Sequence, residues 1–175
     1  MNLDKITFYI PKKMQEIIKY HPFFNGLVVN TKKLPDTSTG LASFQLNNPS
    51  IGAAKIVGMA LSDKAIPYEM VVSDGQKIVE NMRVQFQDGM ERVYEAVKID
   101  EVTGEDIYLK DPDDVVLVDN INSIEMTDEQ KKMVGVATEC RLQREAKEKA
   151  EYDAFRAELQ AKKKENKPTT AAPKP

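Results

Sequence analysis

The feature that most constrains the fold is a proline-free run near the C-terminus, residues 128–164, rich in Ala, Glu, Lys, Arg and Gln. These residues are strong helix formers, and Thr127–Gln130 (TDEQ) before and into the run matches a capping box. One helix over this run is about 55 Å long at 1.5 Å per residue, whereas a globule made of the preceding residues is about 35 Å across. The sequence therefore predicts a helical arm that projects from a compact domain or lies against another chain.

The residues before the arm predict a compact α+β domain over 1–126, dominated by antiparallel strands. Asp74-Gly75 and Asp88-Gly89 separate runs of alternating apolar residues, and Asp-Gly is a strong hairpin signal because both residues tolerate positive φ. Residues 68–124 thus predict a meander of about five short strands, forming a sandwich or a small barrel. The predicted core of this meander consists of Val84, Phe86, Val97, Ile99, Leu109, Val116 and Val118.

The N-terminal third predicts a mixture of short helices and strands. Strand Ile6 to Ile10 alternates apolar and polar residues, and Pro22 ends a helix over 12–20. Further strands are predicted over 27–31 and 41–46. The segment 51–61, with a candidate N-cap at Ser50, is apolar nearly all round and predicts a short buried helix.

Within the arm, two separate stripes of side chains suggest different contacts. Met133, Val136, Ala137 and Cys140 fall on one narrow face that can pack against the β domain. Farther along, Tyr152, Phe155 and Leu159 form an apolar stripe beside a stripe of alanines. The arm is either a solvated helix supported by Glu–Lys pairs or a partner-binding helix anchored by these three residues. We expect a protein partner, either a second copy or a larger assembly.

Charge divides the chain into three parts. Residues 1–65 hold eight Lys or Arg against four Asp or Glu, residues 66–126 hold five against fifteen, and residues 127–175 hold twelve against nine. A basic cluster follows the apolar stripe, and it consists of Lys162, Lys163, Lys164 and Lys167. Such a cluster can bind phosphate backbones, but the acidic middle repels them, so nucleic-acid binding through these lysines is the alternative function. Residues 165–175 predict a disordered tail rich in Pro and Lys.

The sequence offers few residues for catalysis or metal binding. It holds one cysteine, Cys140, and one histidine, His21, which excludes an internal disulfide and any multi-cysteine zinc site. His21 is explained by the end of a helix and Cys140 by burial as an inert thiol. Carboxylates crowd the predicted hairpin ends, at Asp100, Glu101, Glu105, Asp106, Asp111, Asp113, Asp114 and Asp119. They lack EF-hand spacing, so solvated turns explain them better than a metal-dependent enzyme. We predict no catalytic, cofactor-binding or metal-binding residue.

These observations favour a non-enzymatic structural or assembly subunit that self-associates or docks on a larger complex, for example a component of a phage or viral particle. The sequence has no run of 18 apolar residues, and its first ten residues, with an acidic Asp4, do not predict a secretory leader. We therefore expect no membrane partner and a cytoplasmic location, or one within a particle assembled there.

Overall fold

A computed structural model describes residues 5–28, 31–37, 40–75, 77–99, 106–108 and 120–168. The strands in these residues are β1 (Lys5–Ile10), β2 (Thr31–Leu34), β3 (Ala42–Leu46), β4 (Tyr68–Asp74), β5 (Lys77–Gln87), β6 (Met90–Ile99) and β7 (Asp106–Tyr108). The α-helices are α1 (Gln15–Tyr20), α2 (Asn25–Val28), α3 (Ile51–Asp63) and α4 (Asp128–Glu165). Short 3₁₀ turns cover Lys12–Met14, Pro22–Phe24 and Ile121–Ser123.

The described strands pair in the order β2-β3-β1-β4-β5-β6-β7, and every pairing is antiparallel. Strands β4, β5 and β6 follow one another through hairpins. At the second hairpin Asp88 and Gly89 have φ values of +51° and +73°, as a two-residue type I′ turn requires. The predicted fold, an α+β domain with an antiparallel sheet followed by a long C-terminal helix, is confirmed.

The hydrophobic core lies on one face of this sheet. Strand β1 contributes Ile6, Phe8 and Ile10, all of them buried. Phe8 stacks on Phe44 of β3 with ring centroids 5.4 Å apart, and it tilts against Tyr68 of β4 at 5.7 Å. The helices supply the other side of this core through Met14, Ile17 and Ile18 near the N-terminus, Val57 and Leu61 of α3, and Met133 of α4. The helical structure predicted over 12–20 is thereby confirmed, as the turn Lys12–Met14 followed by α1.

The second face of the sheet is also covered at its centre. Alternation places Arg83 and Gln85 of β5 away from the core, yet they are only 8% and 2% exposed. Arg83 forms an ion pair with Glu69, its partner across β4 and β5. The pairing offsets the cost of burying both charges. An alternating pattern thus identifies the core face correctly without showing that the opposite face is open to water.

The predicted core residues of the meander have different outcomes. Val84 is buried, as predicted, whereas Phe86 is only half-buried against the edge of the core. The side chains of Val97 and Ile99, together with Leu109, Val116 and Val118, lie outside the residues that the structure describes.

The strand predicted over 27–31 is wrong. Helix α2 occupies Asn25–Val28, and β2 begins only at Thr31. The reason is a second helical start at His21, whose Nδ1 accepts a hydrogen bond from the Phe23 N–H at 3.1 Å. Pro22 then occupies the first helical position, where proline is favoured. Proline at this point both ends α1 and begins the next turn.

The chain divides into two compact units, Met1–Ala137 and Thr138–Pro175, and α4 crosses the division. At its start the predicted capping box is present. Thr127 Oγ1 accepts from the Gln130 N–H at 3.2 Å, and Gln130 Oε1 accepts from the Thr127 N–H at 3.0 Å. The Gln130 amide also donates to the carbonyls of Lys64 and Ala65, at 3.1 and 2.7 Å. The first turns of α4 are thereby tied to the end of α3.

The predicted packing face at the start of α4 is partly wrong. Met133 and Ala137 are buried, but Val136 is exposed and Cys140 is half-buried. The buried positions are Gln130, Met133 and Ala137, spaced by three and four residues as one helical face requires. Gln130 lies in this buried face and Val136 does not. The polar side chain can be buried because its amide donates two hydrogen bonds to backbone carbonyls there.

Candidate functional site

The three residues predicted to bind a partner lie on α4 within the second unit. Tyr152, Phe155 and Leu159 are 62%, 59% and 44% exposed. Their spacing of three and four residues places them on one side of the helix. We call these three residues the apolar stripe. The structure therefore brings the predicted residues together on one surface that is open to solvent.

The second unit buries none of its described helical residues deeply. Every residue from Leu142 to Pro168 is exposed, and an ion pair joins Arg141 and Glu145 at 3.4 Å. Such a pair adds only tenths of a kcal/mol. Helix formation here rests on intrinsic propensity and on length, because no apolar face of this segment is covered.

Charged residues flank the apolar stripe at both of its ends. Glu145 and Glu148 precede Tyr152 by seven and four residues, so they share its side of the helix. Lys162 and Lys163 follow Leu159 by three and four residues and continue the same side. Arg141 and Arg144 precede Tyr152 by eleven and eight residues and lie on this side as well, so both charges occur before the stripe, whereas Lys162 and Lys163 make the end after it basic.

The lysines predicted for nucleic-acid binding are all exposed at the end of α4 or just after it. They do not form one surface, because Lys162 and Lys163 continue the side of the apolar stripe whereas Lys164 points elsewhere around the helix. Lysines at this position also interact favourably with the negative end of the helix dipole. Only two of the four lysines, Lys162 and Lys163, therefore lie on the side of the apolar stripe, and together they form a small positive site.

A second surface, which the sequence did not predict, lies on the first unit between α3 and the sheet. Helix α3 begins as predicted, with Ser50 Oγ accepting from the Ala53 N–H at 3.1 Å. The helix is not buried all round, however: Ile51, Ile56 and Met59 are more than half exposed. The available signal was the number of apolar residues in 51–61, which exceeds what one buried face requires.

This surface contains a groove of about 510 Å³. Ile51 and Met59 line its helical side, and Met70 and Met82 line its sheet side. Methionine side chains adapt to different shapes, and a groove of this size can hold an apolar side chain or an aliphatic group. We call this feature the α3 groove.

Tyr68 and Ser62 also belong to the lining of the α3 groove. Burial, and secondarily the negative charge of Glu91, raise the pKa of Tyr68, while a hydrogen bond with Ser62 opposes this rise. Gly58 leaves the space that the phenol occupies, since a Cβ at this position would lie 2.8 Å from Tyr68 Oη. The groove lining thus combines apolar side chains with polar and charged ones, among them Glu91.

The residues considered for catalysis have structural roles or lie outside the described part. His21 caps a 3₁₀ turn, and burial, followed by the positive charge of Lys64, lowers the pKa of its imidazole. Of the crowded carboxylates, only Asp106 belongs to the described residues. Among the residues that can be described, no three His, Cys, Asp or Glu side chains gather as a metal site would require.

None of the described helices has the length and apolar character needed to cross a membrane. Two exposed apolar surfaces stand out among the described residues. One is the apolar stripe in the second unit, and the other is the α3 groove in the first unit. Comparisons with protein family models, with curated proteins and with solved structures find no significant match for this chain.

Proposed function

We propose that this chain is a non-enzymatic structural or assembly subunit that docks onto another protein chain through the apolar stripe of α4. The observation that carries the proposal is the exposure of Tyr152, Phe155 and Leu159 on one side of a helix. Covering each such side chain is worth about 1.5–3 kcal/mol, far more than the ion pairs along the helix. A protein surface is the occupant that best covers a stripe of this kind.

In this proposal the two units have separate tasks. The first unit has its own hydrophobic core, and the second unit supplies the contact. A structural component of a phage or viral particle, assembled in the cytoplasm, is one setting that suits such a subunit. The α3 groove adds an apolar surface on the sheet domain for a further contact in the same assembly.

Nucleic-acid binding is the alternative, supported by the exposure of Lys162, Lys163, Lys164 and Lys167. It is the weaker proposal, because acidic residues lie along the same helix and the chain has a net charge of −3. The test is salt-dependent retention of the full chain on DNA or RNA. Retention that disappears in the variant with these four lysines replaced by Gln would favour the alternative.

A photo-reactive residue tests the proposed docking in cells that express the full chain. Benzoylphenylalanine at position 155 should yield covalent adducts that contain a second polypeptide. The matched control is the same residue at position 157, which is exposed but about 160° away around the helix. Adducts at 155 with few at 157 support the proposal, whereas equal yields at both positions, or none, would overturn it.

A further inference from the structure

The single histidine of the chain holds the start of the turn Pro22–Phe24 through a ring nitrogen that a proton can occupy. Nδ1 of His21 accepts a hydrogen bond from the Phe23 N–H at 3.1 Å, and an imidazole nitrogen accepts only while it carries no proton. We propose that His21 makes this turn a pH-sensitive element of the first unit, which loses its cap and opens locally when the imidazole is protonated. The inference goes beyond the proposed docking function and does not depend on it.

Protonation removes this cap completely, because both ring nitrogens of an imidazolium are donors. Nδ1 and the Phe23 N–H would then face each other as two donors. Pro22 has no N–H that could take over the bond, and the Phe24 N–H is already bonded to the His21 carbonyl at 3.0 Å. The turn therefore keeps one backbone hydrogen bond and loses the side-chain bond that fixes its first residues.

The surroundings of the imidazole at the end of α3 oppose its protonation. Burial, and after it the positive charge of Lys64, lower the pKa of His21. Asp63 and Glu129 carry the negative charges near Lys64, with carboxylate oxygens 3.6 and 3.9 Å from its ammonium nitrogen. Both carboxylates are largely exposed, so water screens their effect on the imidazole.

The other elements next to the turn add little net charge. Lys19 lies in the last turn of α1 and Glu16 in its first turn, whereas α2 has no charged residue. A pKa below the ordinary histidine value of about 6.5 means that the unfolded chain binds the proton more readily than the folded chain. The free energy of unfolding is therefore complete above this ordinary value and decreases as the pH falls through it.

The turn also contacts the place where α3 meets α4. The Lys64 ammonium lies 4.7 Å from the centre of the Phe23 ring, and this ring packs edge-on against Phe24 at 4.9 Å. Phe24 is fully buried in the core, and the Lys64 carbonyl accepts from the Gln130 amide at 3.1 Å. Opening of the turn therefore withdraws a neighbour from Lys64 and admits water to Phe24.

Nuclear magnetic resonance of the full chain tests the first step. The imidazole nitrogen shifts should show an unprotonated Nδ1 at neutral pH and a pKa below the ordinary value. Exchange protection of the Phe23 amide, corrected for the intrinsic pH dependence, should fall about threefold or more between about pH 7.5 and about pH 5.5. The Ala53 N–H is the matched control, since Ser50 Oγ holds it at the same distance of 3.1 Å and does not titrate in this range.

Urea denaturation over the same pH range tests the consequence for stability. The folding equilibrium constant of the wild type should fall about threefold more than that of His21→Asn, because an asparagine side chain caps a turn without titrating. Lys64→Gln removes the neighbouring positive charge. It should bring the pKa of His21 closer to its ordinary value and so make the fall smaller than in the wild type.

Three outcomes would overturn the inference: a His21 pKa at or above the ordinary value, Phe23 and Ala53 amides that respond alike, or the same pH dependence of stability in the wild type and in His21→Asn. If His21→Asn does not fold, the two resonance measurements on the wild type decide by themselves.

Discussion

The two ends of α4 differ although they belong to one continuous helix. From Asp128 to Ala137 the helix is held by a capping box, by the two hydrogen bonds from the Gln130 amide and by the buried Met133. From Leu142 onward every described residue is exposed. Tertiary contacts stabilise the first part of the helix, whereas residue propensity stabilises the second part. This difference also explains why candidate contact residues lie in the second part, where no internal packing uses them.

The largest effect is expected from the core that anchors the first part. Phe8→Ala should lower the free energy of unfolding by about 3–5 kcal/mol, because Phe8 is buried between Phe44 and Tyr68. Phe155→Ala, the same change on the exposed part of α4, should alter it by less than about 0.5 kcal/mol. Chemical denaturation measures both, and similar values for the two variants would contradict the comparison. Phe86→Ala should fall between them, because Phe86 is only half-buried.

The next effect concerns the attachment of α4 to α3. Gln130→Ala removes one half of the capping box and leaves the Lys64 and Ala65 carbonyls without this donor. We expect a loss of about 2–4 kcal/mol in the free energy of unfolding. Gln143→Ala on the exposed part of the same helix is the control and should be nearly neutral. A loss below about 0.5 kcal/mol for Gln130→Ala would show that the buried amide does not anchor the helix.

Alanine substitutions at two glycines test the difference between a packed and an open helix surface. Gly135→Ala in α4 meets no atom within 4 Å of the new Cβ and should stabilise the protein by about 0.5–1 kcal/mol through helix propensity. Gly58→Ala in α3 places its Cβ 2.8 Å from the Tyr68 hydroxyl. The collision should cancel the same gain and cost about 1 kcal/mol more. Thermal melting of the two variants should therefore shift in opposite directions, and a common upward shift would mean that Tyr68 moves freely.

The smallest expected effect is on the apolar stripe itself. At concentrations where the chain is monomeric, Phe155→Ala with Leu159→Ala should leave the unfolding transition within about 0.5 kcal/mol of the wild type. These side chains are exposed, so the folded monomer gains little from them. Urea denaturation followed by far-ultraviolet circular dichroism measures this. A substantial loss would mean that the stripe serves the fold rather than a partner.

Local patterns predicted the elements whose determinants lie close together in the sequence. The Asp88-Gly89 turn and the Ser50 cap were identified correctly, because each depends on backbone geometry or on hydrogen bonds within about four residues. The strand predicted over 27–31 was wrong because the prediction relied on the apolar residues of this segment. Pro22 was the weaker signal, and it indicated the start of a helix. The α3 groove was missed for a different reason. Its walls come from α3 and from the four strands β1, β4, β5 and β6, which only the folded sheet brings together.

The sequence by itself determined the antiparallel hairpins, the long C-terminal helix and the placement of Tyr152, Phe155 and Leu159 on one side of it. Those properties follow from propensity, turn conformation and helical spacing, which act over a few residues. Only the tertiary structure decided which faces are covered: Gln130 is buried and Val136 is exposed, Arg83 lies inside beside Glu69, and Met59 lies open on α3. Burial depends on which distant segments pack together, and residue types along one element do not specify those neighbours.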